Sequence, residues 1–322
     1  MMRRCNNFFF LITFCTHYTI TNTSQPCIAI DVNKALFTFQ EPWRILSYKD
    51  RNKIEKKIVF LEDNAQQRFV LKCYSKEQIE EAICEDLGSF IGVSVGVPVH
   101  KVQMIEGGPL LAEINNGTSL ATLHTEVPGK ELCKWFESPP NDIILKGGLI
   151  SEKHLKCLVL SDDLCDLMAL DIFLNNRDRH CENCFFDEAA MRYYGIDMGD
   201  VFLAGQRLPN EEKALSVEAY ISLAEIIFTR KPLAVNVYNF LKTVMAADLS
   251  VEQVRALKRV QRTLHILLHL YPAEVVFGLW MLKAEAIDYT YTEYKKIYLR
   301  TLLHYNTYWV QRVVDMISQL TT

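Results

Sequence analysis

Between Ala35 and Tyr74 the hydrophobic positions come in short runs: LFTF, KKIVFL and, after the polar stretch EDNAQQ, RFVLKCY. In the last run Phe69, Leu71 and Cys73 alternate with Val70 and Lys72, the period of two that a half-buried strand shows. The same alternation turns Lys72 to the face opposite Phe69. From Ser75 the period changes. Ile79, Ile83, Leu87 and Phe90 recur at helical spacing behind Ser75, whose third successor is Gln78, the reciprocal cap of a helix start. This helix is expected to run to about Phe90 and break at Gly92; Glu80, Glu81 and Glu85 decorate it, and either one of them pairs with Lys72 or the three form a solvated acidic face. VSVGVPVHKVQMI and PLLAEI then read as strands joined through Gly107-Gly108.

Residues 124–150 are rich in turn formers and read as an irregular connection. Ser161 is expected to cap a helix with Asp162 and Asp163 in its first turn and Leu164, Leu167 and Met168 as its buried stripe. RYYGI reads as a strand ending at Asp197. Beyond Gly199 the pattern is helical. Ser250-x-x-Gln253 is a second capping box, before a stripe of Val251, Val254, Leu257, Val260, Leu264 and Leu267. Pro272 suits the start of the next helix, and 292–319 reads as one long amphipathic helix, interrupted or not near Asn306. The tyrosines of this end, Tyr289 to Tyr308, fit core packing better than a platform for bases. The fold class expected is α+β and bilobal: a small strand-rich lobe with one helix at 35–114, and a mainly helical lobe at 115–322.

Composition narrows the function classes. The chain has 322 residues, 49% of them hydrophobic and 23% charged, enough for one large core or two lobes and unlike low-complexity or disordered chains. A net charge of −4 provides no broad footprint for nucleic acid, which is not expected as a partner. The basic stretch Lys49–Lys57 reads as a solvated hairpin. Cys181-x-x-Cys184 has no second pair at zinc spacing among the ten cysteines, so reduced structural thiols are expected. The start is basic over Met1–Arg4 and apolar over Phe8–Phe14, too short to span a bilayer; residues 1–34 read as a leader or a secretory signal. Cytoplasmic and exported locations both stay open, and stable membrane insertion is not expected. Asn22-Thr-Ser and Asn116-Gly-Thr match the glycosylation triplet, which matters only on a secretory route.

The chemistry concentrates in 175–199. Asp178-Arg179-His180-x-x-Asn183 is followed fourteen residues after the Asn by Asp197-x-Gly199. An Asp and an Asn five apart on a tight loop can orient a hydroxyl and hold a metal, and a second Asp arriving from a strand can hold that metal from the other side. Phosphoryl transfer asks mainly for this positioning and charge neutralisation.

Lys72, the helix carrying Glu81, Leu87 and Gly92, the wording Asn176-x-Asp178-Arg179-His180-x-x-Asn183 and the later Ile196-Asp197-x-Gly199 together resemble the atypical kinase superfamily of phosphatidylinositol 3/4-kinases and HipA-like protein kinases. The resemblance covers about residues 40–205. It implies ATP and Mg²⁺ as cofactors, Asp178 as the catalytic residue with His180 sharing that task or holding the loop, and Asn183 and Asp197 as metal ligands. It also implies Lys72 on the phosphates paired to Glu81, and Arg179 as a buttress of the loop. The strand PLLAEI leaving into Asn115–Ser119 would be the hinge that receives adenine. One departure stands out: Glu62–Gln67 occupies the place of a glycine-rich phosphate loop. Transfer to a protein hydroxyl is the function expected. A lipid or small-molecule acceptor, a partner-binding pseudokinase and transfer of another part of the nucleotide are the alternatives, and the oligomeric state is open. A neutral-to-acidic chain without a basic amphipathic surface favours a protein acceptor over an anionic membrane.

Overall fold

The computed structural model describes residues 37–49, 58–114, 120–137, 161–202, 232–245 and 249–322. The expected leader, both glycosylation triplets, the Asn115–Ser119 turn and most of the basic stretch 49–57 lie outside these residues.

The described chain is α+β and two-lobed, as expected. Strands β1 (Arg44–Lys49), β2 (Ile58–Glu62) and β3 (Arg68–Tyr74) precede helix α1 (Ile79–Ser94). Then come β4 (Val102–Glu106), a short α2 (Pro109–Ile114) and β5 (Leu120–Thr125). β6 (Lys130–Glu131), α3 (Leu132–Glu137), α4 (Asp162–Leu174), β7 (Cys184–Asp187) and β8 (Arg192–Gly195) lead into the helices α5 (Leu233–Val244), α6 (Val251–Leu270), α7 (Ala273–Ala286) and α8 (Glu293–Thr321). The first lobe is a five-stranded antiparallel sheet ordered β1-β2-β3-β5-β4, and β6-β7-β8 form a small second sheet.

The alternation in β3 sorts the sheet's two faces. Phe69, Leu71 and Cys73 join Val59, Leu61, Ala121 and Leu123 in a core covered by Leu110, Leu111 and Ile114 of α2. The opposite face turns Lys72, Tyr74, Thr122 and His124 toward α1, with Lys72 paired in register to Thr122. α1 seals the lobes together: Ile83, Leu87 and Ile91 share one cluster with Leu167, Leu170 and Leu174 of α4 and with Trp280 of α7. Burying each such side chain contributes about 1.5–3 kcal/mol.

Several local expectations change. PLLAEI is the helix α2; six residues are too few for periodicity to separate strand from helix, and here its leucines cap the sheet. The small lobe therefore has two helices. Its sheet also extends past residue 114, because β5 lies between β3 and β4, so the chain leaves the lobe after Thr125. Helix α1 does not stop near Phe90. Gly92 lies inside it, where a Cβ would stand 2.7 Å from Leu170 Cδ2 and 2.9 Å from Val99 Cγ2, so the glycine serves close packing rather than a break. Of VSVGVPVHKVQMI only Val102–Ile105 falls in a strand, β4. The described part of LFTF, residues 37–39, is not strand either, although Phe37 and Phe39 pack on Phe69.

The caps follow the sequence. Ser161 Oγ accepts the Leu164 N–H at 3.2 Å, and Ser250 and Gln253 exchange both bonds of their box. Met168 and Val251, expected in buried stripes, are 46% and 83% exposed; each lies at the edge of its stripe. α8 runs uninterrupted through Asn306, whose Nδ2 donates to the Phe173 carbonyl at 2.6 Å. Tyr291 and Tyr298 are buried, whereas Tyr308 is exposed. No single described helix is long and apolar enough to cross a membrane.

Candidate active site

Three elements meet where β3, α1 and the chain after β8 converge. Lys72 Nζ donates to Glu85 Oε1 and, at 3.1 Å, to Asp197 Oδ1. Glu85 is fully buried, and its Oε2 accepts the Met198 N–H at 2.9 Å. This corrects the expected partner. Glu85, not Glu81, holds Lys72. Glu81 lies one helical turn earlier on the same face and packs over Gly199, where a Cβ would come within 2.8 Å of its Oε1. A side chain at Gly199 would displace that of Glu81, so the glycine eases the close approach of α1 to the turn after Asp197. Asp197 has a backbone φ of 60°, a left-handed conformation that Asp tolerates better than most residues, and it presents a partly exposed carboxylate to the cleft.

Burial works against the Lys72 ammonium, but Glu85 and Asp197 outweigh it and hold its pKa well above the usual lysine value. Lys72 therefore stays a cation. Burial pushes the Glu85 carboxyl up to about 7, against the pull of Lys72.

The loop Asn175–Asn183 is built around a buried carboxylate that the motif does not include. α4 ends at Asn175 in the left-handed conformation, and Asp171 in its last turn accepts a fork from Arg179: Nε to Oδ2 at 3.0 Å and Nη2 to Oδ1 at 3.1 Å. Arg179 Nη1 also donates to the carbonyls of Asn183 and Ile196, both at 2.6 Å. One guanidinium thereby ties the loop to the strand that delivers Asp197. Gly195 lets it in close, since a Cβ there would lie 3.1 Å from Nη2. Asn176 Nδ2 donates to Asp171 Oδ1 at 2.8 Å, and Asn176 Oδ1 accepts the Asp178 N–H at 3.0 Å.

At the loop's outer end, Asn183 Nδ2 donates to Asp178 Oδ2 at 3.1 Å and to the Asp178 carbonyl at 2.9 Å, and lies 3.1 Å from His180 Nε2. Asp178 and His180 are each about half exposed, 3.8 Å apart at Oδ1 and Nε2. His180 Nδ1 accepts the Glu182 N–H at 3.2 Å and so caps the 3₁₀ turn Cys181–Asn183. The Ile196 N–H bonds the Asn183 carbonyl at 3.1 Å, which links this group to the Lys72–Asp197 group. All six expected residues thus belong to the neighbourhood, with Glu81 set apart from Lys72.

The acidic turn between β2 and β3 also resolves. Asp63 is buried and its Oδ1 accepts the N–H groups of Ala65 and Gln67, both at 2.9 Å, while Glu62 pairs with Arg44 at 2.5 Å. Glu62 is thus neutralised by Arg44, whereas Asp63 takes up the turn's own Ala65 and Gln67 N–H groups. A cavity of about 560 Å³ borders the other side of Arg179 and Asp171; its lining includes neither Lys72 nor Asp197.

Sequence reasoning left Glu85 among three glutamates that could pair with Lys72, the resemblance pointed to Glu81 instead, and Asp171 was missed. Each is a carboxylate inside a helix whose buried residues span more than one face, from Ala82 to Ser89 in α1 and from Leu167 to Leu174 in α4. For Asp171 the available signal was an acidic residue flanked on both sides by apolar ones, Leu170 and Ile172.

No protein family and no curated protein matches the chain significantly. Among solved structures, a proinflammatory kinase, CtkA, of Helicobacter pylori superposes with a TM-score of 0.49 at 14% identity, covering 87% of this chain and 97% of that one. HipA of Shewanella oneidensis, solved with HipB and its operator DNA, gives a TM-score of 0.28 at 13% identity, covering 77% and 63%. Neither likeness is close enough to carry an argument, and the chemistry has to be read from the site itself.

Proposed function

We propose that the chain is an ATP- and Mg²⁺-dependent phosphotransferase that moves the γ-phosphoryl group of ATP to a protein hydroxyl. The observation that carries this reading is Lys72 held between a buried carboxylate and a partly exposed one, Glu85 and Asp197, beside a loop that presents Asp178 and Asn183. A permanently charged ammonium at the cleft suits nucleotide phosphates.

The donor set fits Mg²⁺. Asp197 offers a carboxylate. The Asn183 amide nitrogen is turned to Asp178 and His180, and its Oδ1 makes none of those bonds, leaving an oxygen for a hard cation. Mg²⁺ bound there would neutralise charge on the phosphoryl group. Lys72 binds and orients the phosphates, and Glu85 keeps it from swinging away. Asp178, positioned by Asn183 Nδ2, accepts the proton of the acceptor hydroxyl. His180, by its bond to the Glu182 N–H, holds the turn. Arg179 fixes the distance between the Asp178 side of the site and the Asp197 side.

The test is incubation of the full chain with Mg²⁺ and γ-labelled ATP beside Asp197→Ala, followed by intact-mass analysis. Label on the protein, lost in the variant, is the expected result. Absence of label together with absence of any Mg-ATP-dependent thermal shift overturns the reading. A shift without label, and with label appearing on added lipid instead, would move the acceptor to the membrane.

A further inference from the structure

Glu85 faces a second polar cluster that phosphoryl transfer does not use. His100 lies just before β4 and His124 on β5; their rings are 3% and 4% exposed, beside the fully buried Glu85. His124 Nδ1 is 3.2 Å from His100 Nε2, and His100 Nε2 is 3.8 Å from Glu85 Oε2. All three atoms lie within 4.8 Å of one another. Around a tetrahedral zinc-sized ion with bonds of about 2.0–2.1 Å, two ligand atoms sit about 3.3–3.4 Å apart. The ring-to-ring distance already matches, the His100-to-carboxylate distance needs to close by about half an ångström, and the His124-to-carboxylate distance lies within 4.8 Å.

Glu85 and His124 each have a partner on their other polar atom: Glu85 Oε1 bonds Lys72 and His124 Nε2 lies 2.7 Å from the Thr122 hydroxyl, while the His100 backbone N–H donates to the Gly195 carbonyl at 3.2 Å. Outer partners of this kind orient metal-binding imidazoles and carboxylates and fix which nitrogen is free. The rings lie in hydrogen-bonding contact at 3.2 Å. Glu85 Oε2, held by the Met198 N–H, stands 3.8 Å from Nε2, and a carboxylate oxygen that accepts one N–H keeps a lone pair for a metal.

We propose that Glu85 Oε2, His100 Nε2 and His124 Nδ1 form a buried site for one transition-metal dication of the zinc class, distinct from the Mg²⁺ position at Asn183 and Asp197. Two imidazoles select against a hard cation such as Mg²⁺. The carboxylate is shared, Oε1 on Lys72 and Oε2 on the ion, so a bound ion locks the group that aims Lys72. The site stands on its own geometry and does not depend on the acceptor or on ATP.

The full chain, stripped with a chelator and dialysed against Co²⁺ or Zn²⁺, is passed over a desalting column and its metal content measured. The expected result is one ion per chain, with the visible d–d bands of low-coordinate cobalt, in wild type and in Asp197→Ala alike. His100→Gln and His124→Gln lose it. Substoichiometric metal in the wild type, metal retained by both histidine variants, or a cobalt spectrum dominated by thiolate charge transfer overturns the proposal. If a histidine variant does not fold, as judged by circular dichroism, the wild-type protein decides alone: the cobalt spectrum must show nitrogen and oxygen ligands, and Zn²⁺ must raise the unfolding midpoint of the stripped chain.

Discussion

Glu85 and Asp86 are neighbours on α1, and each neutralises a buried lysine, yet the two pairs serve different regions. On one side Lys72 comes from the sheet and touches two carboxylates, Glu85 and the partly exposed Asp197. On the other, Lys283 comes from α7, bonds Asp86 at 2.8 Å and lies 5.7 Å from the centre of the Phe90 ring. The second pair is closed: both of its charges are buried, with an aromatic ring beside the cation. The first opens to solvent at Asp197, whose carboxylate is 39% exposed. Burial of charge therefore does not by itself mark a site. What distinguishes the Lys72 group is a partly exposed carboxylate at a cleft.

The largest effect separating the two regions is expected at the closed pair. Asp86→Ala removes a buried counter-ion of the Lys283 ammonium and should cost about 3–5 kcal/mol, read by guanidinium unfolding, while label transfer per folded molecule stays near wild type. A loss below about 1 kcal/mol would mean that the brace is solvated. Next comes Lys72→Met at the open pair. Phosphoryl transfer should fall by about 10²–10³-fold, as for loss of one preorganised charge-stabilising group, with an unchanged circular dichroism spectrum. Transfer within about threefold of wild type would remove Lys72 from the phosphates.

Smaller again, and touching both pairs through the seating of α1, is Gly92→Ala. Overpacking against Leu170 and Val99 should cost about 1–3 kcal/mol, more than the roughly 1 kcal/mol that alanine recovers in helix propensity, so the melting midpoint drops. A midpoint at or above wild type would show that α1 has room to move. The smallest effect is Ser250→Ala, remote from both lysines. Loss of its bond to the Gln253 N–H should cost about 1 kcal/mol, seen as a lower unfolding midpoint with nucleotide binding intact; a change in binding would couple α6 to the cleft.

The legibility of the chain tracks the range of the interaction. The alternation in β3 is enough to turn Lys72 away from Phe69, because pleat geometry is local. The caps at Ser161 and Ser250 are readable for the same reason: side chain and orphan N–H are three residues apart. The loop wording is readable too, since Asp178 and Asn183 meet within one turn. Glu81 and Glu85 defeat such reasoning. They are four apart on one helical face, and only the height of β3 against α1 decides which of them Lys72 reaches. PLLAEI reads as a strand yet folds as a helix, because its class follows from covering the face of the sheet, which no six-residue pattern contains. His100 and His124, far apart in the chain, carry no shared signal at all.

The amino-acid order alone therefore determined the alternation of strands and helices, their caps, and a loop chemistry suited to phosphates. Those are consequences of backbone geometry within a few residues. The tertiary structure decided the partner of Lys72, the buttress Asp171, the insertion of β5 between β3 and β4, and the meeting of two histidines behind Glu85. Each depends on packing between elements distant in the chain, where close-packed volume and the cost of an unpaired buried charge select one arrangement.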